Sequence, residues 1–222
     1  MSNAVTEQFR SLGNIATGVL ALCAVVITVL LVRRELWPAT VRLSPPPQRI
    51  AQWRSFVRPG AVEGVPNARV TLVVFADYQC PFCRDLESKI ANIRASRGSL
   101  VAYEYRNFPL AGHPFAREAA IAAECARRQG RFQAFHDSLF AQQDSIGKKS
   151  WSKFAEQANV SDLAAFKNCV ADSATAAIVD DDLKAGEKLG VTGTPPFLVN
   201  DRLLLGTVPS DELDSVVDKA LH

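Results

Sequence analysis

The stretch Cys80-Pro81-Phe82-Cys83 limits more than any other what this chain folds into. Ahead of it, Val70-Thr71-Leu72-Val73-Val74-Phe75 is β-branched and apolar, the pattern of a buried strand. Behind it, Arg84 to Arg97 carries Leu86, Ile90 and Ile93 at helical spacing. The cysteine pair therefore sits where a strand ends and a helix begins. Cys80 falls at the helix N-cap and Pro81 at the first helical position, where a missing N–H costs nothing. The unpaired N–H groups of the first turn, with the positive end of the helix dipole, face the Cys80 sulfur. They favour thiolate over thiol, and the thiolate is the nucleophile. Cys83, one turn further on the same face, is placed to close a disulfide with Cys80. Half of a zinc site is the competing reading, but zinc needs two more ligands and Cys23, Cys125 and Cys169 each stand alone. An inert disulfide is the other, disfavoured because an open helix N-terminus activates a thiol.

The N-terminus has a different character. Ile15 to Val32 is apolar apart from Thr17, Gly18 and Thr28 and carries no charge. As a helix of about eighteen residues it would span roughly 27 Å, just enough for a bilayer core. Arg10 precedes it, Arg33 and Arg34 follow it, and Trp37 is placed for the interface. Lacking a small-x-small cleavage site after the run, the segment is expected to be an uncleaved, single-pass signal anchor over 15–32 behind a short cytoplasmic tail at 1–14. Arg33, Arg34, Arg42 and Arg49 would hold the following domain in the cytoplasm by the positive-inside rule. Long domains, however, translocate largely regardless of charge, and disulfide chemistry belongs in an oxidising compartment, so the domain is expected outside the cytoplasmic membrane. A net charge of +2 gives no reason to expect a nucleic-acid partner.

Residues 33–66 form the expected linker, stiffened by Pro45-Pro46-Pro47. Within it Gln48 to Arg58 places Ile50, Trp53, Phe56 and Val57 at helical spacing, with arginines between. This predicts a short amphipathic helix, lying on the membrane surface or on the domain's edge. The domain itself is expected over 67–222. Leu100 to Phe108 alternates as a second strand. A helical region over about 113–189 follows, with Ser150 and Ser161 as candidate caps. Pro196 to Val199 and Arg202 to Leu205 are short strands around Asn200-Asp201, and a helix from Ser210 to Leu221 closes the chain.

Phe75-Ala76-Asp77-Tyr78-Gln79-Cys80-Pro81-Phe82-Cys83 and Val191-Thr192-Gly193-Thr194-Pro195-Pro196-Phe197-Leu198-Val199-Asn200 resemble the two signatures of DsbA-like thiol:disulfide oxidoreductases. Phe108-Pro109-Leu110 and Gly130-Arg131-Phe132-Gln133-Ala134-Phe135-His136 match that family as well. The resemblance covers 67–222 and implies an α/β thioredoxin fold with an inserted helical domain. It implies protein thiols and disulfides as substrates and a membrane redox partner that resets the pair. It also implies a cis Thr194–Pro195 bond, lying against the cysteines, with the Thr194 backbone pairing to the substrate chain. No metal or organic cofactor is expected, because the cysteine pair itself carries two electrons. Pro196, without an N–H, is expected to delay the following strand by one residue.

Two departures stand out. Phe82 occupies a motif position where strongly oxidising members carry histidine, which predicts a less oxidising disulfide. Val74, six residues before Cys80, stands where a buried carboxylate often handles the proton of the second cysteine; Asp77 and Glu104 are the candidate substitutes, each otherwise an exposed acid at a strand end. Reversed electron flow, as in a reductase or isomerase, and a redox-inert peptide-binding module are the alternative functions.

Cys125 and Cys169 lie on the apolar sides of two inserted helices; they either pair in a structural disulfide or stay separate buried thiols. His113 reads as a solvated loop residue and His136 as helix packing. Asp180-Asp181-Asp182 lacks the spacing of a calcium loop and reads as a solvated helix face.

Overall fold

The computed structural model describes residues 20–29, 31–32, 46–65 and 67–222. The chain divides into two units, 1–42 and 43–222. In the first, the described residues are helical and their apolar side chains are exposed. Residues 15–19 and 30 of the expected anchor, and 33–45 of the expected linker, lie outside the described residues. Among the described residues, no helix is long and apolar enough to cross a membrane.

The second unit is built on a five-stranded sheet. Its strands are β1 (Gln48–Arg49), β2 (Val70–Ala76), β3 (Val101–Asn107), β4 (Pro196–Val199) and β5 (Arg202–Leu205), in the order β1-β5-β4-β2-β3. β2 runs parallel to β3 and antiparallel to β4. Its near-continuous apolar sequence follows from burial on both faces. Leu72, Val74 and Ala76 pack into the larger core, while Val73 and Phe75 pack into the second.

Helix α1 (Pro81–Arg97) leads from β2 to β3, and α7 (Ser210–Leu221) packs on the same face. Between β3 and β4 lies an all-helical insertion: α2 (Ala116–Arg128), α3 (Phe132–Ala141), α4 (Trp151–Gln157), α5 (Leu163–Val170) and α6 (Ser173–Lys188). Ser150 caps α4, its hydroxyl accepting the Lys153 N–H, but α5 is capped by Asp162 and not by Ser161. A carboxylate one residue on competes better for the unpaired N–H groups of the first turn. Helix α6 closes on the second face through Gly186, where a Cβ would sit 2.5 Å from the Phe108 ring.

The expected amphipathic helix over Gln48–Arg58 does not form. Gln48 and Arg49 pair with Leu203 and Arg202 as an edge strand, and only Trp53–Phe56 makes a turn of 3-10 helix. Trp53 and Phe56 are buried in the second core, so the packed body begins at Gln48 and not at Asn67. β5 would otherwise expose an unpaired edge, and an extended segment satisfies it where a helix cannot. The proline at 196 does not delay β4 either: Pro196 is its first residue, opposite Leu205, a position that tolerates the missing donor.

A buried group of charges fastens this N-terminal strap to β3 and the insertion. Both oxygens of Glu104 accept the Arg58 backbone N–H at 2.9 Å. The Arg58 guanidinium reaches Glu124 of α2 at 3.0 Å and Asp182 of α6 at 3.3 Å, and Arg106 lies 2.6 Å from Asp182. Asp182 is therefore not part of a solvated face. Asp180 and Asp181 pair outward with Arg117 and Lys184, while the helical turn carries Asp182 inward. Cys125 of α2 and Cys169 of α5 are joined by a disulfide, their Cα atoms 5.7 Å apart. Closing a loop with a sequence separation of 44 contributes on the order of 4 kcal/mol in the chain-entropy model.

Burial pushes the Glu104 carboxyl up to about 7, despite the Arg58 N–H and the nearby guanidinium groups. The unfolded chain titrates it near 4.3, roughly the reference value. The folded state thus binds this proton more tightly. The resulting stabilisation is complete below about pH 4 and is lost as pH rises through 7, on the order of 3 kcal/mol in all. Urea unfolding at stepped pH is expected to show stability falling across that window. Glu104→Gln flattens most of the slope; Asp182, whose carboxyl burial also raises, accounts for the remainder.

Candidate active site

β2 ends at Ala76, and a turn through Asp77, Tyr78 and Gln79 delivers Cys80 to the N-cap of α1. Cys80 has extended backbone angles (φ −80°, ψ 119°), and Pro81 takes the first helical position. Cys80 is 3 % exposed and Cys83 fully buried, whereas the Phe82 side chain is 63 % exposed. The reacting tip is therefore less open than a bare helix terminus implies. It is covered by the loop before β4, where the Thr194–Pro195 bond is cis and the Cys80 Sγ lies 3.6 Å from the Thr194 carbonyl oxygen. The four residues Cys80, Cys83, Thr194 and Pro195 thus meet at one end of the sheet.

The two thiols differ sharply. The neighbouring Cys83 thiol, followed by Thr194 and the backbone of Cys83 and Phe82 at the start of α1, holds Cys80 down to about 5 against its own burial. Burial, followed by that same contact with Cys80, pushes Cys83 far above the usual thiol range. Near neutral pH the pair is one thiolate and one thiol.

Neither candidate acid reaches Cys83. Asp77 is buried, and its carboxylate turns away to accept the Gln79 N–H at 2.6 Å and the Leu110 N–H at 2.8 Å. It also lies 2.8 Å from His113 Nδ1, so this histidine is a partner of the motif loop and not a solvated bystander. What Asp77 offers the Cys83 sulfur is its backbone N–H, at 3.5 Å. Glu104 is buried as well, but alternation along β3 sends it to the opposite face from Tyr103, Tyr105 and Cys83. Neither acid is the exposed strand end that its local sequence suggests; non-local partners, absent from any local pattern, draw both inside. Val74 is fully buried in the same core as Cys80 and Cys83, so the position six residues before Cys80 is apolar.

His136 packs among Tyr78, Tyr105, Phe132 and Phe140, and it is also hydrogen-bonded. Tyr78 Oη lies 3.1 Å from Nδ1, and Glu87 Oε2 lies 3.3 Å from Nε2. Sequence reasoning missed Gln79, whose side-chain oxygen accepts the Phe115 N–H at 2.7 Å. No spacing rule signals a contact between a motif loop and the start of a distant helix.

The Cys80 thiolate, followed by its ultraviolet absorbance, is expected to titrate with a midpoint near pH 5. Because the Cys83 thiol is the largest contributor, Cys83→Ala should shift that midpoint upward by a unit or more, roughly. A midpoint that stays near 5 in this variant would show that the helix terminus alone sets the thiolate.

A family model described as "Thioredoxin" matches residues 57–219. Among curated relatives, the Na(+)/H(+) antiporter NhaA 3 of Salinispora tropica is 36% identical over 160 residues; the match covers 72% of this chain and 24% of that protein, so the chain spans only about a quarter of its length. Among solved structures, a thioredoxin-like oxidoreductase from Silicibacter pomeroyi is 30% identical with a TM-score of 0.64, covering 77% of this chain and 98% of that one. DsbA2 of Pseudomonas aeruginosa is 25% identical with a TM-score of 0.61, covering 72% and 93%. Since the matched region runs from ahead of β2 into α7 and takes in both cysteines, the chain belongs to the thioredoxin-like, DsbA-like family of thiol:disulfide oxidoreductases.

Proposed function

We propose that this chain exchanges disulfides with protein substrates outside the cytoplasmic membrane, held there by an anchor over 15–32. The observation that carries the reading is the inequality of the two thiols, Cys80 held low and Cys83 high, beside the Thr194 carbonyl. In the oxidising direction a substrate thiolate attacks Cys80 Sγ and breaks the Cys80–Cys83 bond. Cys83 leaves and takes up a proton. A second substrate thiolate then attacks the mixed disulfide and expels the Cys80 thiolate, the better leaving group because its thiol is the more acidic. The substrate gains a disulfide, and the pair keeps two electrons and must be reoxidised by a membrane partner. Thr194 and Pro195 position the incoming chain.

Stabilising the Cys80 thiolate stabilises the reduced form and so favours an oxidant. Phe82 favours the second reading, a reductase or isomerase, because it brings no charge to the thiolate. The redox state of Cys80 and Cys83 in growing cells separates the two: a mainly oxidised pair fits the oxidase and a mainly reduced pair the reductase. The disulfide between Cys125 and Cys169 supports an oxidising compartment in either case.

In the reverse direction Cys80 attacks a substrate disulfide and Cys83 resolves the product, so Cys83→Ser should accumulate mixed disulfides through Cys80, visible as reductant-sensitive adducts, while Cys80→Ser forms none. Normal turnover in Cys83→Ser would rule out the two-cysteine mechanism. Protease added to intact spheroplasts is expected to digest the domain. Protection until lysis would put the domain on the cytoplasmic side.

A further inference from the structure

The turn that presents Cys80 carries carbonyls that need partners, because Tyr78 is 1 % and Cys80 3 % exposed. Gln143 meets this need from the helical insertion. It opens the short 3-10 turn Gln143–Ser145 that follows α3. Its Nε2 lies 2.8 Å from the Tyr78 carbonyl oxygen and 2.9 Å from the Cys80 carbonyl oxygen. A primary amide has two N–H donors, one for each carbonyl. The Cys80 carbonyl also accepts the helical N–H groups of Cys83 and Arg84, at 3.1 and 3.3 Å. For the Tyr78 carbonyl, Gln143 is the one donor among the described residues. Phe115, at the start of α2, donates its N–H to the Gln79 side chain of the same loop. The loop is thus held between two parts of the insertion.

We propose that Gln143 is a positioning residue for the redox pair: its carboxamide bridges the Tyr78 and Cys80 carbonyls and fixes the loop that aims the Cys80 sulfur at the start of α1. The proposal rests on reading Cys80 as the reacting thiol. The sulfur stands at the positive end of α1 only while Cys80 keeps its extended N-cap conformation, with Pro81 as the first helical residue. That conformation is set by the peptide planes on either side of Cys80, and Gln143 holds the plane that follows it. Without the amide, the Tyr78 carbonyl is buried and unpaired, which the loop relieves by turning toward water. The sulfur then moves away from the helix terminus.

Two variants test this. Gln143→Leu deletes both donors and keeps most of the bulk. Gln143→Glu keeps the shape but sets a carboxylate against two carbonyls. In each, the Cys80 thiolate midpoint is followed by ultraviolet absorbance against pH, and folding is checked separately by chemical unfolding. The midpoint should rise by about one unit in Gln143→Leu and further in Gln143→Glu. A folded variant with the wild-type midpoint overturns the proposal, since a merely structural role would move stability alone. Should neither variant fold, the wild type still decides: the side-chain amide protons of Gln143 should exchange with solvent more slowly than those of a free glutamine side chain, and fast exchange overturns it. A wild-type midpoint at an ordinary thiol value would instead overturn the reading of Cys80 itself.

Discussion

The structure depends on one sulfur, that of Cys80, held at the start of α1 against the loop before β4. The Cys83 thiol and the backbone at the start of α1 favour the thiolate, and together they outweigh the desolvation that would keep it protonated. The rest of the fold exists to bring them together. β2 must end where it does for Cys80 to be an N-cap, and Pro81 opens α1 without forfeiting a helical bond. β4 must run antiparallel beside β2 for the Thr194–Pro195 loop to arrive at the same edge.

The same geometry makes the pair asymmetric. Cys83 gives its proton-bearing side to Cys80 and is itself sealed beneath the sheet end, where low dielectric disfavours charge. The proposed exchange uses this difference, with one thiol to react and the other to be expelled and reprotonated. With Val74 apolar and both nearby acids committed elsewhere, the proton on Cys83 has no carboxylate beside it among the described residues.

The insertion is more than packing around this centre. It grips the motif loop through Leu110, His113, Phe115 and Gln143, and is itself tied to the sheet by Asp182 and Glu124 through Arg58 and Arg106. Buried ions of this kind add little net stability, because desolvation offsets their attraction, yet each is costly to orphan. They fix the one arrangement of strap, strand and helices in which every charge is paired.

The local order of strand, motif and helix was legible because it depends on neighbours in the chain: the apolar run of β2, the proline after Cys80, and the spacing of Leu86, Ile90 and Ile93. The same holds for β3, the helical insertion and the final helix. Where partners are distant, the sequence was silent or misleading. Gln48–Arg58 has helical spacing, but the open edge of β5 recruits it as a strand and its aromatics fill the second core. Asp77, Glu104 and Asp182 look like surface acids until His113, Arg58 and Arg106 come to meet them. Cys125 and Cys169 left pairing open, since two thiols on apolar helix faces look alike whether or not they touch. The sequence by itself determined which cysteine sits at a helix terminus, because a helix start is written in the few residues around it. Tertiary structure alone decided which groups surround that sulfur, because a hydrogen bond from residue 143 to residue 78 leaves no periodic trace in either segment.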